Sequence, residues 1–153
     1  MERTPTSAEL LALWELGEGE RPGSRALVLL GEGAPALAAA QREALPVGRR
    51  DAFLLELRQR LFGDRFQGVT TCPFCDDEIE ISFEASEVHR EPAQATTGRV
   101  EVDGIVVDFR LPTGGDLAAI EALDDVATAR ARLLVRCVER ATRGGDAISL
   151  DTL

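Results

Sequence analysis

The chain has 153 residues, 44% of them apolar and 29% charged, and its 17 basic residues against 27 acidic ones leave a net charge of −10. A chain of this length buries about 68–70% of the surface it exposes when unfolded, so it folds as one domain without a disulfide framework. The acidic balance excludes nucleic acid and anionic membrane as default partners. All the basic residues are arginine, which excludes Schiff-base chemistry and a phosphate-binding Walker lysine.

Residues 1–64 read as mainly helical. Thr6-Ser7-Ala8-Glu9 is a capping box, and Leu10, Leu11, Leu13, Trp14 and Leu16 follow it as a short amphipathic helix. Ser24 caps a second helix through Leu30, ended by Gly31 and Gly33. Pro35 opens a third, Ala-rich helix to about Ala44, and Asp51 to Phe62 carries a helical apolar stripe stopped by Gly63.

The character changes at residue 66. Val69-Thr70-Thr71 reads as a strand, and Ile79, Ile81 and Phe83 alternate with polar residues as a half-buried strand. Cys72-Pro73-Phe74-Cys75 lies in the turn between them. Val100 and Val102, then Asp103-Gly104, then Ile105, Val107, Phe109 and Leu111 predict a second tight hairpin, so that residues 66–111 form two β-hairpins. Residues 114–142 read as helices, one capped by Asp116 and one opened by Asp124 or Asp125 and running to about Ala141. The fold class is therefore α+β, a single domain over 1–153.

Cys72-Pro73-Phe74-Cys75 is the one motif with chemistry. Two thiolates on a tight turn between strands grip one side of a tetrahedral zinc. A redox dithiol is the second reading, but no helix follows to lower a thiol pKa, and Asp76, Asp77 and Glu78 disfavour a thiolate. A surface turn with two unligated thiols is the third. Zinc needs four ligands. His89 and Cys137 make a Cys3His set arithmetically available, although His89 reads first as a solvated loop residue and Cys137, beside Leu133, Leu134 and Val138, as a buried apolar one. The missing ligands otherwise come from a second copy, a partner or sequence outside this chain. Trp14 with its leucines reads as core or as a partner-binding face, and Arg49-Arg50 as a solvated helix start or a site for an acidic partner. Catalytic signatures such as Gly-x-Ser-x-Gly or His-Glu-x-x-His are absent, so the expectation is a non-enzyme. With no apolar run of about 20 residues and no secretory signal in Met1–Pro5, the expected location is the bacterial cytoplasm.

Several segments in sequence order resemble a known family. They are Ser7–Glu15 (SAELLALWE), Leu45–Asp51 (LPVGRRD), Thr71–Cys75 with Glu78-Ile79-Glu80, Val102-Asp103-Gly104 with Phe109–Pro112, and Leu133–Val138. Together they resemble the T4-type (T-even phage) baseplate hub assembly chaperone family of contractile injection systems and phage-tail-like gene clusters. The resemblance implies an assembly chaperone or scaffold that contacts baseplate hub or spike proteins. It implies Cys72 and Cys75 as metal ligands, with a second Cys-Pro-x-Cys and further helices beyond residue 153. A zinc-stabilised structural component and, in a different class, a thiol redox protein are the alternatives; homo-oligomers are compatible with each.

Overall fold

A computed structural model describes residues 4–88, 91 and 94–149. Four helices open the chain: α1 (Ser7–Gly17), α2 (Pro22–Gly33), α3 (Ala39–Glu43) and α4 (Val47–Phe62). A two-stranded antiparallel ribbon follows, β1 (Arg65–Thr71) with β2 (Glu78–Glu84), then a single turn of helix, α5 (Ala85–Val88). The second half is a meander, β3 (Thr97–Val102), β4 (Ile105–Arg110), β5 (Val138–Arg143) and β6 (Asp146–Ala147), with α6 (Gly114–Ile120) and α7 (Val126–Cys137) between β4 and β5. The mixed α and antiparallel-β composition is the one expected.

Local chemistry sets most boundaries. The Thr6 capping box forms, its hydroxyl accepting from the Glu9 N–H at 3.3 Å while the Glu9 carboxylate accepts from the Thr6 N–H at 2.7 Å. Helix α2 starts at Pro22, two residues before the expected Ser24 cap, and the Glu121 carboxylate accepts from the Gly23 N–H at 2.6 Å. An acidic group at that position satisfies an orphan amide and meets the positive end of the helix. The third helix is shorter than expected, because a turn closed by Leu37 N–H to Ala34 C=O takes up the residues around Pro35. Asp103 and Gly104 take φ of 52° and 74°, the paired left-handed geometry of a type I′ hairpin turn.

Two expectations are corrected. The helix through Ala141 stops at Cys137, and residues 138–143 are strand β5 instead. Leu134, Val138 and Ala141 do keep helical spacing, but β4 needs a second neighbour. Val107 pairs with Ala141 across the ladder, and Ala141 is buried. Pairing the open edge of β4 outweighs another helical turn. The ribbon strand around Ile79 and Ile81 is not half-buried: both side chains are 41% exposed. Among the described residues no second layer covers that face; Phe66 and Phe83 stack on each other at 4.8 Å near its base.

The halves meet where Val47 N–H donates to Pro112 C=O (2.9 Å) and Gly114 N–H to Leu45 C=O (3.2 Å). Beside this junction sits Asp116, expected as a cap. Thr113 is the cap, and Asp116 is the third helical residue of its capping box. The Asp116 side chain is 2% exposed and accepts a bidentate pair from Arg110 on β4, the Arg136 Nε–H at 2.9 Å from α7, and the Thr113 N–H at 2.9 Å. Arg110 holds its carboxyl well below the usual carboxylate range, against the opposing effect of burial. The apolar core is small: Leu30, Ala34 and Leu57 between α2 and α4, Ala85 at the ribbon base, and Cys137 with Ala141 by the sheet.

This packing makes three predictions. Asp116→Ala should lower stability at neutral pH by about 2–3 kcal/mol in urea melts, less than a wholly buried pair because both guanidinium groups reach solvent. Asp116 contributes its charge-dependent stability above about pH 3.9, the unfolded carboxylate value, and loses it as pH falls through its depressed folded value. Asp116→Asn should therefore show a flatter stability profile in that acid range than the parent. Separately, a Cβ at Gly98 would lie 2.6 Å from Phe109 Cζ, so Gly98→Ala should cost about 1–3 kcal/mol by the same melts.

Candidate functional site

The ribbon projects from the end of α4. Gly63, at φ 80°, ends that helix, and Arg58 donates to the carbonyls of Gly63 and, at 2.7 Å, Arg65. The same guanidinium lies 3.7 Å from the Phe66 ring centroid, so one arginine clamps the ribbon to the helix. The Cys-x-x-Cys turn is at the far tip. Cys72 N–H donates to Asp77 C=O at 2.8 Å and Asp76 N–H to Cys72 C=O at 3.0 Å, with Asp76 at φ 60°. Phe74 at the apex is 96% exposed.

This turn aims backbone amides at sulfur. The N–H groups of Phe74 and then Cys75 bond the Cys72 sulfur, and with the Cys75 thiol they lower the Cys72 pKa. Cys75 sulfur lies 3.3 Å from an Asp77 carboxylate oxygen. Such a cradle stabilises a thiolate, whether for metal or for reaction, despite the acidic neighbours. It supplies two ligands of the four that tetrahedral zinc takes. No group of three or more His, Cys, Asp or Glu side chains able to hold a metal assembles among the described residues. Cys137 therefore does not join the pair: it ends α7, buried, its thiol pushed up by burial and then by the Asp116 carboxylate. His89 lies outside the described residues.

The two arginines at the start of α4 differ in setting. Arg49 is exposed; Arg50 is buried, its Nε–H bonded to Asp51 at 2.8 Å, with Pro22, Leu117 and Ile120 around it. Trp14 is 62% exposed, so the leucine stripe around it does not carry the indole into the core. It lines a hollow of about 440 Å³ between α1, α2 and α4, with Leu10, Leu13, Leu29, Leu61 and Phe62. Sequence reasoning named Trp14 but missed its companions on α2 and α4, whose leucines read simply as helical core stripes.

The family described as T4 bacteriophage base plate protein matches residues 36–153, most of the chain, and the chain belongs to that family. No curated protein and no solved structure matches it. Membership implies a role in phage baseplate structure or assembly and contacts with other baseplate proteins. No helix among the described residues is long and apolar enough to cross a membrane.

The thiol environments predict an order of reactivity. With iodoacetamide near pH 7.5, mass spectrometry should find Cys72 alkylated first and Cys137 last, because only a thiolate attacks and only the former is stabilised as one. Equal rates at the two would contradict the amide cradle.

Proposed function

With baseplate membership as premise, we propose that this chain is a non-enzymatic assembly chaperone or scaffold for the baseplate hub of a phage-tail-like contractile injection system, acting in the bacterial cytoplasm. The observation that carries the reading is unfinished surface. The accessible area is 10820 Å², against about 7,500 Å² for a compact monomer of 16.5 kDa. A surface larger than that of a compact monomer reflects thin packing and a projecting ribbon. Large apolar side chains contribute to it: Phe62 is 72% exposed, Trp14 62%, Val126 80%. Apolar area left in water at this scale is a standing drive to associate. The net charge of −10 keeps the free chain soluble and draws hub or spike subunits of positive net charge toward it, while the local charge at any one contact is set by the residues that line it. Trp14 and Arg49 are the exposed contact residues on this reading, whereas Arg50 is buried beside Pro22, Leu117 and Ile120.

The knuckle favours a second reading, a zinc-stabilised component that stays in the particle. Cys72 and Cys75 would hold one side of a zinc ion, which would supply structural cross-linking and no chemistry. The other two ligands would come from outside the described residues.

The test is the mature particle. A chaperone is substoichiometric or missing there, yet deleting its gene stops hub assembly; a structural component is present at a fixed, symmetric copy number. For the metal, native mass spectrometry of the chain with and without Cys72→Ser should show zinc lost with the thiol. Zinc retained in Cys72→Ser removes the knuckle from the metal site.

A further inference from the structure

We propose that the hollow between α1, α2 and α4 is a docking trough for an amphipathic helix of a baseplate partner, one whose apolar stripe is flanked by carboxylates. This rests on the baseplate-assembly reading and specifies the partner's chemistry.

Shape and lining come first. The 440 Å³ hollow is joined by a second of about 380 Å³ along α2 and α4, and the two share Arg25, Leu29, Leu57, Leu61 and Phe62. Together they form one apolar channel with Trp14 on its α1 wall. An extended peptide laid there would leave its backbone N–H and C=O groups without partners, because the walls are helices with no open strand edge. A helix satisfies its own backbone and offers only side chains, which suits a channel lined by leucine.

Charge then selects among helices. On a chain of net charge −10, the trough carries two arginines, Arg25 and Arg58, and one carboxylate, Glu18. Neither arginine has a carboxylate partner among the described residues. Arg25 donates to the Gly17 carbonyl at 3.1 Å and the Glu20 carbonyl at 2.9 Å, and Arg58 to those of Gly63 and Arg65. These bonds, and for Arg58 its place over the Phe66 ring, hold both guanidinium groups in place without neutralising them. A partner carboxylate thus meets a positioned cation with little side-chain entropy left to lose. A second copy of this chain fits less well, since two copies bring two net charges of −10 together.

Trp14 is the only tryptophan in the chain, and it stands on the trough wall, so its fluorescence reports occupancy directly. The probes are two synthetic Trp-free helical peptides of about 18 residues, long enough to form a helix in the bound state. Both carry leucine at i, i+3, i+4 and i+7; one has Glu along the flanks and the other Lys. Titrated into the intact chain, the Glu peptide should give a saturable blue shift and bind about tenfold more tightly than the Lys peptide, the difference one charge-assisted hydrogen bond makes. Leu13→Asp, checked for an unchanged helical circular-dichroism signal, should abolish the shift. Equal affinity for the two peptides, or no saturable shift with either, overturns the proposal. So does a blue shift that grows with the concentration of the chain alone, which would make a second copy the occupant. Particle stoichiometry tests the baseplate role separately: peptide binding that persists when the role fails, or the reverse, tells the two apart.

Discussion

Asp116 holds the second half of the molecule in register. Its carboxylate accepts from Arg110 at the end of β4, from Arg136 on α7 and from the Thr113 cap that starts α6. One anion thus fixes a strand, the helix that follows it and the helix that leads back to the sheet. Without it, two guanidinium groups would crowd the junction at which β5 must turn onto β4. The contact is worth more for geometry than for net energy, because desolvating a carboxylate offsets much of what the ion pairs return. Immediately beside it, Leu45 and Val47 bond to the 112–114 segment and attach the helical half.

Away from that junction the packing thins. Helices α2 and α4 close on Leu30 and Leu57, where Gly33 approaches so near that an added Cβ would sit 3.2 Å from the Phe53 carbonyl oxygen. Beyond this crossing, helix α1 leaves Trp14 and Leu16 outside, and the β1–β2 ribbon leaves Ile79 and Ile81 in water. A two-stranded ribbon is marginal by itself. Arg58, through its carbonyl bonds and its place over Phe66, is what holds this one to α4. A chain that leaves this much apolar surface uncovered is built to be finished by neighbours, and the baseplate family supplies the context in which neighbours are available.

Much of the architecture was legible because it is written in local chemistry. The Thr6 capping box, the Asp125 cap, the Asp103-Gly104 turn and the Gly63 stop each act over a few residues, and each appears where it was read. The misreadings occur where a distant partner decides. Residues 138–143 carry a pattern compatible with helix or strand, and β4 selected the strand. The alternation of Ile79, Ile81 and Phe83 is a true strand signal, but alternation cannot say whether another layer will cover it. Asp116 stands in cap-like sequence, and only the arrival of Arg136 from twenty residues away reveals a charge network.

The sequence by itself determined the helix caps, the β3–β4 hairpin turn and the placing of Cys72 and Cys75 in a turn between two strands, because caps and turn residues act through the backbone within one or two turns of chain. It also set the acidic balance of the chain. Tertiary structure decided which apolar residues stay outside, that Arg50 is buried while Arg49 is not, and that Cys137 stands apart from Cys72 and Cys75. It also brought Arg25 and Arg58 to the walls of one leucine-lined channel. Burial and charge pairing depend on residues far apart in the chain, and their outcome exists only once the helices have packed.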